Sequence, residues 1–227
     1  MDRTDNGFVS VAIDGPVGAG KSSIARNAAK KLGYIYVDTG ALYRAIGLYC
    51  LRNGADMTDY ESIARISCDA HPTIRLIDGV QYVYLNGEDV SEEIRLPEIS
   101  MAASAVSAVP AVRAALLDLQ RDMTKTNNVI MDGRDIGTVV LPNATVKIFL
   151  TAAAEIRAKR RYDELIAKGV ETSFEDVLSD LNQRDYNDSH REIAPLKQAE
   201  DAVLADTSQL DFEQSCQLII DIIKERV

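Results

Sequence analysis

The sequence predicts an α/β fold: a five-stranded parallel sheet wrapped by helices, with a small antiparallel β subdomain inserted and a helical lid. Three observations lead there. Short apolar, β-branched runs alternate with segments of helical periodicity, the pattern of strands covered on both faces. A glycine-studded turn joins the first such run to the first helical segment. One stretch between them changes to period-two patterning with hairpin dipeptides.

The strand candidates are residues 8–13, 34–37, 129–131, 146–150 and 202–205, each short and apolar. Helical patterns occupy 21–32, 41–53, 111–125, 154–168, 173–187 and 212–226. The last opens on Asp211-x-x-Gln214, a capping-box signature, and repeats apolar residues at Phe212, Cys216, Ile219, Ile220 and Ile223. From Thr73 to Val90 the chain reads TIRLIDGVQYVYLNGEDV. Its Asp78-Gly79 and Asn86-Gly87 pairs are strong hairpin signals, so this segment is expected to fold as a small sheet set into the α/β frame.

The chain has 227 residues, enough for a sizeable core, with 46% hydrophobic and 26% charged residues, which excludes a disordered chain. A formal net charge of −10 argues against non-specific binding to nucleic acid or anionic membrane. Any polyanionic ligand must therefore be held by locally concentrated arginines. Cys50, Cys68 and Cys216 are odd in number and widely spaced, so buried free thiols in a reducing, cytoplasmic compartment are expected rather than disulfides or a metal site. The opening MDRTDNGF lacks a basic, apolar leader pattern, and no apolar run is long enough to span a bilayer. No long exposed apolar stripe demands a partner, and a monomer is expected.

Gly15-Pro16-Val17-Gly18-Ala19-Gly20-Lys21-Ser22, followed by Ser23, matches G-x-x-x-x-G-K-[ST] between a strand and a helix. Glycines let successive backbone N–H groups turn toward a phosphate, and the helix adds its positive end. Lys21 reaches the β- and γ-phosphates, and the Ser22 hydroxyl ligates Mg²⁺. The loop is thus a P-loop, and the fold that of the P-loop nucleoside triphosphatases. A GTPase would need Asn-Lys-x-Asp, which is absent, and the chain is short for an ATPase machine. A small kinase must add an acceptor site and a lid that keeps water from the γ-phosphoryl group.

Three clusters qualify for the acceptor. Asp38-Thr39-Gly40-Ala41-Leu42-Tyr43-Arg44 ends the second strand and enters a helix, Asp132-Gly133-Arg134-Asp135 follows the third, and Arg184-Asp185 with Asp188 and Arg191 closes another helix. Ligands of open α/β sheets sit beyond the carboxyl ends of the strands. Arg44, Arg134 and Arg191 are the planar forks that suit a phosphate. Arg157, Arg160 and Arg161, in EIRAKRR at a helix start, are the lid candidates, because cations there call for compensating anions.

GPVGAGKSS, DTGALYRA, DGRDIGTVV, RAKRR, RDYNDSHREIAPL and DAVLADTS occur in the order and spacing of bacterial-type cytidylate kinase, a family of P-loop nucleoside monophosphate kinases. The chain resembles that family from about Val9 to its last helix; Val17 and Ser23 are its minor departures. The resemblance implies ATP and Mg²⁺ as cofactors, and transfer of the γ-phosphoryl group to CMP or dCMP. It implies a core of residues 1–40 and 127–227 with a lid near 153–172, and a monophosphate-binding domain over 41–126 with its β insert near 73–90. Ser104 and Arg113 would meet the cytosine with Asp135. Arg184 and Asp188 would hold the sugar, and Arg44, Arg134 and Arg191 the acceptor phosphate, in the neighbourhood of Thr39 and Tyr43. Two other readings compete. A shikimate-kinase-like enzyme would phosphorylate a hydroxyl, with Asp38 or Asp135 as base; a regulatory sensor would bind ATP without turnover.

Overall fold

The computed structural model describes residues 7–77 and 80–227. The Asp78-Gly79 pair, a hairpin signal in the sequence, and the first six residues lie outside that description. Five strands, β1 (Ser10–Asp14), β2 (Ile35–Asp38), β6 (Val129–Gly133), β7 (Val146–Thr151) and β8 (Val203–Asp206), form one sheet in the order β2-β6-β1-β7-β8, every pair parallel. β1 is buried along its whole length, as a central strand covered on both faces must be. All five strands end one residue or more beyond the apolar runs, because the polar residues that close them still pair in register, Asp38 opposite Asp132 for instance.

Helices α1 (Lys21–Leu32) and α8 (Phe212–Lys224) pack on one face around Ile13, Ile24, Ile148, Ile219 and Ile223. The capping box at Asp211 and Gln214 forms as the sequence indicates. A smaller cluster of Val37, Met131, Ile136 and Val140 fills the other face. A separate core gathers α2 (Thr39–Arg52), α3 (Tyr60–Ser67), α4 (Pro97–Ser107) and α5 (Pro110–Asp122) around Leu42, Ile46, Ile63, Val106 and Leu116. Into it is set the antiparallel sheet β3 (Pro72–Ile77), β4 (Val80–Leu85) and β5 (Glu88–Asp89). Asn86 and Gly87, at φ 51° and 88°, make the tight β4–β5 connection that Asn-Gly favours.

Two helices lie outside the six periodic segments of the sequence. α3 is a single short amphipathic stretch capped by Asp59, and α4 is an alanine-rich segment whose periodicity is weak. α6 (Ala154–Ala167) and α7 (Phe174–His190) pack on each other and on Val17 through Ala158, Val177 and Leu181. α7 therefore runs through His190, past the helical pattern that ends at 187; its imidazole stacks on Tyr186 one turn earlier. All three thiols are free, yet Cys68 is exposed rather than buried, at the open end of α3. Burial pushes the Cys50 thiol up to about 11. Among the described residues no single helix is long and apolar enough to cross a membrane.

Candidate active site

The first glycine of the turn is a steric necessity. A Cβ on Gly15 would stand 1.9 Å from the Leu150 carbonyl oxygen, so β1 and β7 could not keep their spacing with any other residue there. Gly20, at φ 85°, opens α1 without a side-chain cap, which leaves the helix N-terminus to an anion. Lys21 is buried and folds back to donate to the Pro16 carbonyl at 2.7 Å. Burial, reinforced by the nearby Arg134 guanidinium, pulls the Lys21 ammonium down to about 7 against the carboxylates of Asp132 and Asp188.

Ser22 donates from its hydroxyl to Asp132 Oδ2 at 2.8 Å, and the Tyr36 hydroxyl donates to Oδ1 at 3.0 Å. Burial drives the Asp132 carboxyl up to about 6, with the negative Asp38 adding to it and Lys21 opposing. Thr39, buried at the start of α2, donates to the Asp132 carbonyl at 2.7 Å and ties the ends of β2 and β6 together. Asp14, at the end of β1, accepts the N–H groups of Ile136 and Gly137 at 2.7 Å each. Burial raises the Asp14 carboxyl to about 6 despite those two bonds.

Arg157 is buried beside the turn and donates to the carbonyls of Ala152 at 2.8 Å and Val17 at 2.7 Å, and to Asp185 Oδ2 at 2.6 Å. Its charge at the start of α6 is thus already compensated by protein groups. Arg160 reaches the loop before α8, donating to the Thr207 carbonyl at 2.8 Å, and Arg161 pairs with Glu164 on its own helix at 2.8 Å. The three arginines of the patch therefore point to three different neighbourhoods, and Arg157 alone of them touches the glycine-rich turn.

The acceptor-side residues converge beyond the carboxyl ends of β2 and β6. Arg44 donates to Asp38 Oδ2 at 2.7 Å, while the other Asp38 oxygen caps α2 through Ala41 N–H at 3.0 Å. Arg134 donates to Asp188 Oδ2 at 2.7 Å. Asp135 is held between two guanidiniums, Arg113 through Nη2 and Arg191 through Nη2 at 3.3 Å. Tyr43 lies with its ring centroid 5.5 Å from the Arg113 guanidinium carbon. Arg191 also donates to the Ser107 hydroxyl at 3.2 Å and to the Ala194 carbonyl at 2.7 Å. Ala194 sits at φ 49°, a left-handed conformation that costs a non-glycine residue about 1 kcal/mol. Burial lowers the Arg184 guanidinium from its usual range, with Arg134 acting in the same sense.

On α4 the hydroxyl engaged with this cluster is that of Ser107; Ser104 supplies its carbonyl to the Ser107 hydroxyl at 2.8 Å. Asp14 is a further member that the motifs did not include, while Asp132 and Asp185, named within the acceptor clusters, prove to touch Ser22 and Val17 of the glycine-rich turn. Their positions at strand and helix ends adjoining the motifs were the available signal. A hollow of ≈ 270 Å³ opens beside Tyr43, Arg113, Leu117, Gln120, Ile193 and Ala194. A larger one of ≈ 400 Å³, near Cys68 and Leu116, is lined by neither lysine nor arginine.

The cytidylate kinase family model matches residues 11–225. The chain belongs to the cytidylate kinase family. It is 50% identical over 214 residues to the cytidylate kinase of Caldicellulosiruptor bescii, covering 94% of this chain and 95% of that one. It is 48% identical over 225 residues to the cytidylate kinase of Mycolicibacterium paratuberculosis, covering 96% of each. Among solved structures, an uncharacterized protein from Eubacterium ventriosum aligns over 96% of this chain and 99% of its own with a TM-score of 0.53 at 11% identity, a likeness of fold.

Proposed function

We propose that the protein transfers the γ-phosphoryl group of ATP to CMP or dCMP, giving ADP and the pyrimidine diphosphate. The observation that carries this is the trio Arg44, Arg134 and Arg191. Each guanidinium is held by a carboxylate, Asp38, Asp188 and Asp135 respectively, beyond the carboxyl ends of β2 and β6. An anionic acceptor finds donors there whose positions are already determined, so little ordering remains to be done on binding.

The chemistry asks for no general base. A phosphate monoester has its second pKa near about 6, so the attacking oxygen is largely ionised at neutral pH. What the residues must supply is alignment and positive charge around the transferring group. The Gly18–Lys21 amides and the Lys21 ammonium would hold the triphosphate. Arg134, close enough to Lys21 to depress its pKa, stands at the junction between donor and acceptor. Arg157 would act by holding the Val17 carbonyl, and thereby the shape of the turn. Arg113 and Asp135 would read the base, and Arg184 and Asp188 the sugar.

Ser22 and Asp132 offer a hydroxyl and a carboxylate in contact, the hard oxygen set that suits Mg²⁺, which takes few protein ligands when it also binds phosphates. When bound, the ion would neutralise charge on the phosphate oxygens. Among the described residues no cluster of three or more His, Cys, Asp or Glu could hold a metal on its own, in keeping with a metal that arrives with its nucleotide.

Transfer to a neutral hydroxyl is disfavoured by the carboxylates that would have to serve as base. Asp38 is spent on a helix cap and Arg44, and Asp135 on Arg113 and Arg191. The test is ADP release with ATP and a panel of CMP, dCMP, UMP, AMP and shikimate. Turnover with CMP and dCMP is expected. Turnover with shikimate alone, or none above the ATPase background, would overturn the proposal.

A further inference from the structure

β2 is an outermost strand of the large sheet, so among the described residues its free edge has no strand neighbour. At its last residue that edge is nevertheless paired. Gln81, on β4 of the small sheet, accepts from the Asp38 N–H through Oε1 at 2.9 Å and donates from Nε2 to the Asp38 carbonyl at 3.1 Å. One side-chain amide thus reproduces a rung of strand pairing across 43 residues of sequence. An amide is the only common side-chain group of that length that both donates and accepts in this geometry without carrying charge.

The residue so gripped has its own carboxylate fully committed, one oxygen to the cap of α2 and the other to Arg44. Fixing the Asp38 backbone therefore fixes the Arg44 guanidinium. The Arg44 Nε is buried and has no hydrogen-bond partner among the described residues, so the fork keeps a donor unspent. Gly40 lies beneath it, where an added Cβ would come to 3.1 Å from Nη1 and 3.2 Å from Asp38 Oδ1. The guanidinium is packed in place rather than swinging in solvent.

We propose that Gln81 is a positioning residue for the acceptor phosphate, and that the inserted sheet acts as a strut whose amide sets Asp38 and, through it, Arg44. The inference rests on the reading of Arg44 as an acceptor-phosphate ligand. It gives the insert a task in the reaction: presenting one side chain to the edge of the catalytic sheet.

The experiment is steady-state kinetics of Gln81→Leu, Gln81→Glu, Arg44→Ala and the Gln81→Leu/Arg44→Ala pair. Gln81→Leu is expected to raise the KM for CMP about tenfold, the equivalent of a lost hydrogen-bonded constraint, with the KM for ATP unchanged. In the Arg44→Ala background the same change should add nothing. Gln81→Glu supplies a readout that a mere structural staple would not move. Its protonated form restores both a donor and an acceptor, so the ratio of its CMP KM to the parent's should shrink as pH falls from about 6 toward about 4.3, where a glutamate takes up its proton. An unaltered CMP KM in Gln81→Leu, with only a lowered melting temperature, would overturn the proposal. If that variant does not fold, a pH-independent ratio for Gln81→Glu overturns it instead. Should Arg44→Ala leave the CMP KM untouched, the Arg44 reading fails first and takes this inference with it. A defect in Gln81→Leu that persists in the Arg44→Ala background overturns the route through Arg44 alone.

Discussion

Arg157 and Asp185 meet at 2.6 Å across the glycine-rich turn, and each also binds the main chain of Val17: Asp185 accepts its N–H at 3.0 Å and Arg157 donates to its carbonyl at 2.7 Å. Both sides of one peptide-bearing residue are thereby clamped by α6 and α7. The neighbours of Asp185 on α7 are Arg184 and, a turn on, Asp188, which belong to the acceptor side. The helix that serves the acceptor thus also shapes the loop that serves the donor.

Asp185→Asn retains the acceptor for Val17 N–H but leaves the Arg157 charge short of its partner. The ion pair is mostly buried, so its loss should cost about 2 kcal/mol of stability, less than deletion of the whole group. We expect a several-fold higher KM for ATP with a nearly unchanged KM for CMP, measured by initial rates under saturating co-substrate.

Lys21→Ala should lower kcat about a hundredfold or more, as loss of a preorganised cation does, while the protein stays folded. The Lys21 ammonium is depressed to about 7 in the folded state. A depressed value means that its contribution to stability, full above its unfolded range, is lost as pH falls toward 7. Chemical denaturation at neutral pH should accordingly find the variant no less stable than the parent. A large loss of stability would contradict that placement.

Asp132→Asn keeps the size of the group that receives Ser22 and Tyr36 but removes its charge. If this carboxylate helps to hold Mg²⁺, the variant should need about ten- to a hundredfold more magnesium for half-maximal rate. An unchanged magnesium titration would remove Asp132 from that task.

The alternation of strands and helices, the glycine-rich turn and the capping box of α8 were all legible because each is written in a few consecutive residues. The same locality exposed the Asn86-Gly87 turn. Asp14 and Gln81 were not legible, nor was the reach of Asp185 to Val17, since the partners lie 122, 43 and 168 residues away. Nor does spacing tell which of Ser104 and Ser107, one turn apart on α4, meets Arg191; the fold brings the Ser107 hydroxyl there. Cys68 looked like the other thiols in sequence, yet it falls past the end of a short helix where nothing covers it.

Asp14 carries a pH signature of its own. Burial raises its carboxyl to about 6, so the folded protein keeps a proton that the unfolded chain releases near the ordinary aspartate range. Its contribution to stability is then full below about pH 4 and lost as pH rises through about 6. Asp14→Asn lacks that titration. Its stability relative to the parent should rise across this interval, read from urea midpoints, on top of a fixed penalty for one unmatched backbone N–H.

The central claim is that Arg44, Arg134 and Arg191 grip the acceptor through its phosphate. Calorimetric titration of CMP and of cytidine into the parent and into the triple alanine variant tests it most directly. The account predicts that the parent binds CMP at least about a hundredfold more tightly than cytidine, and that the variant binds the two alike. A variant that keeps the parent's preference for CMP would contradict it.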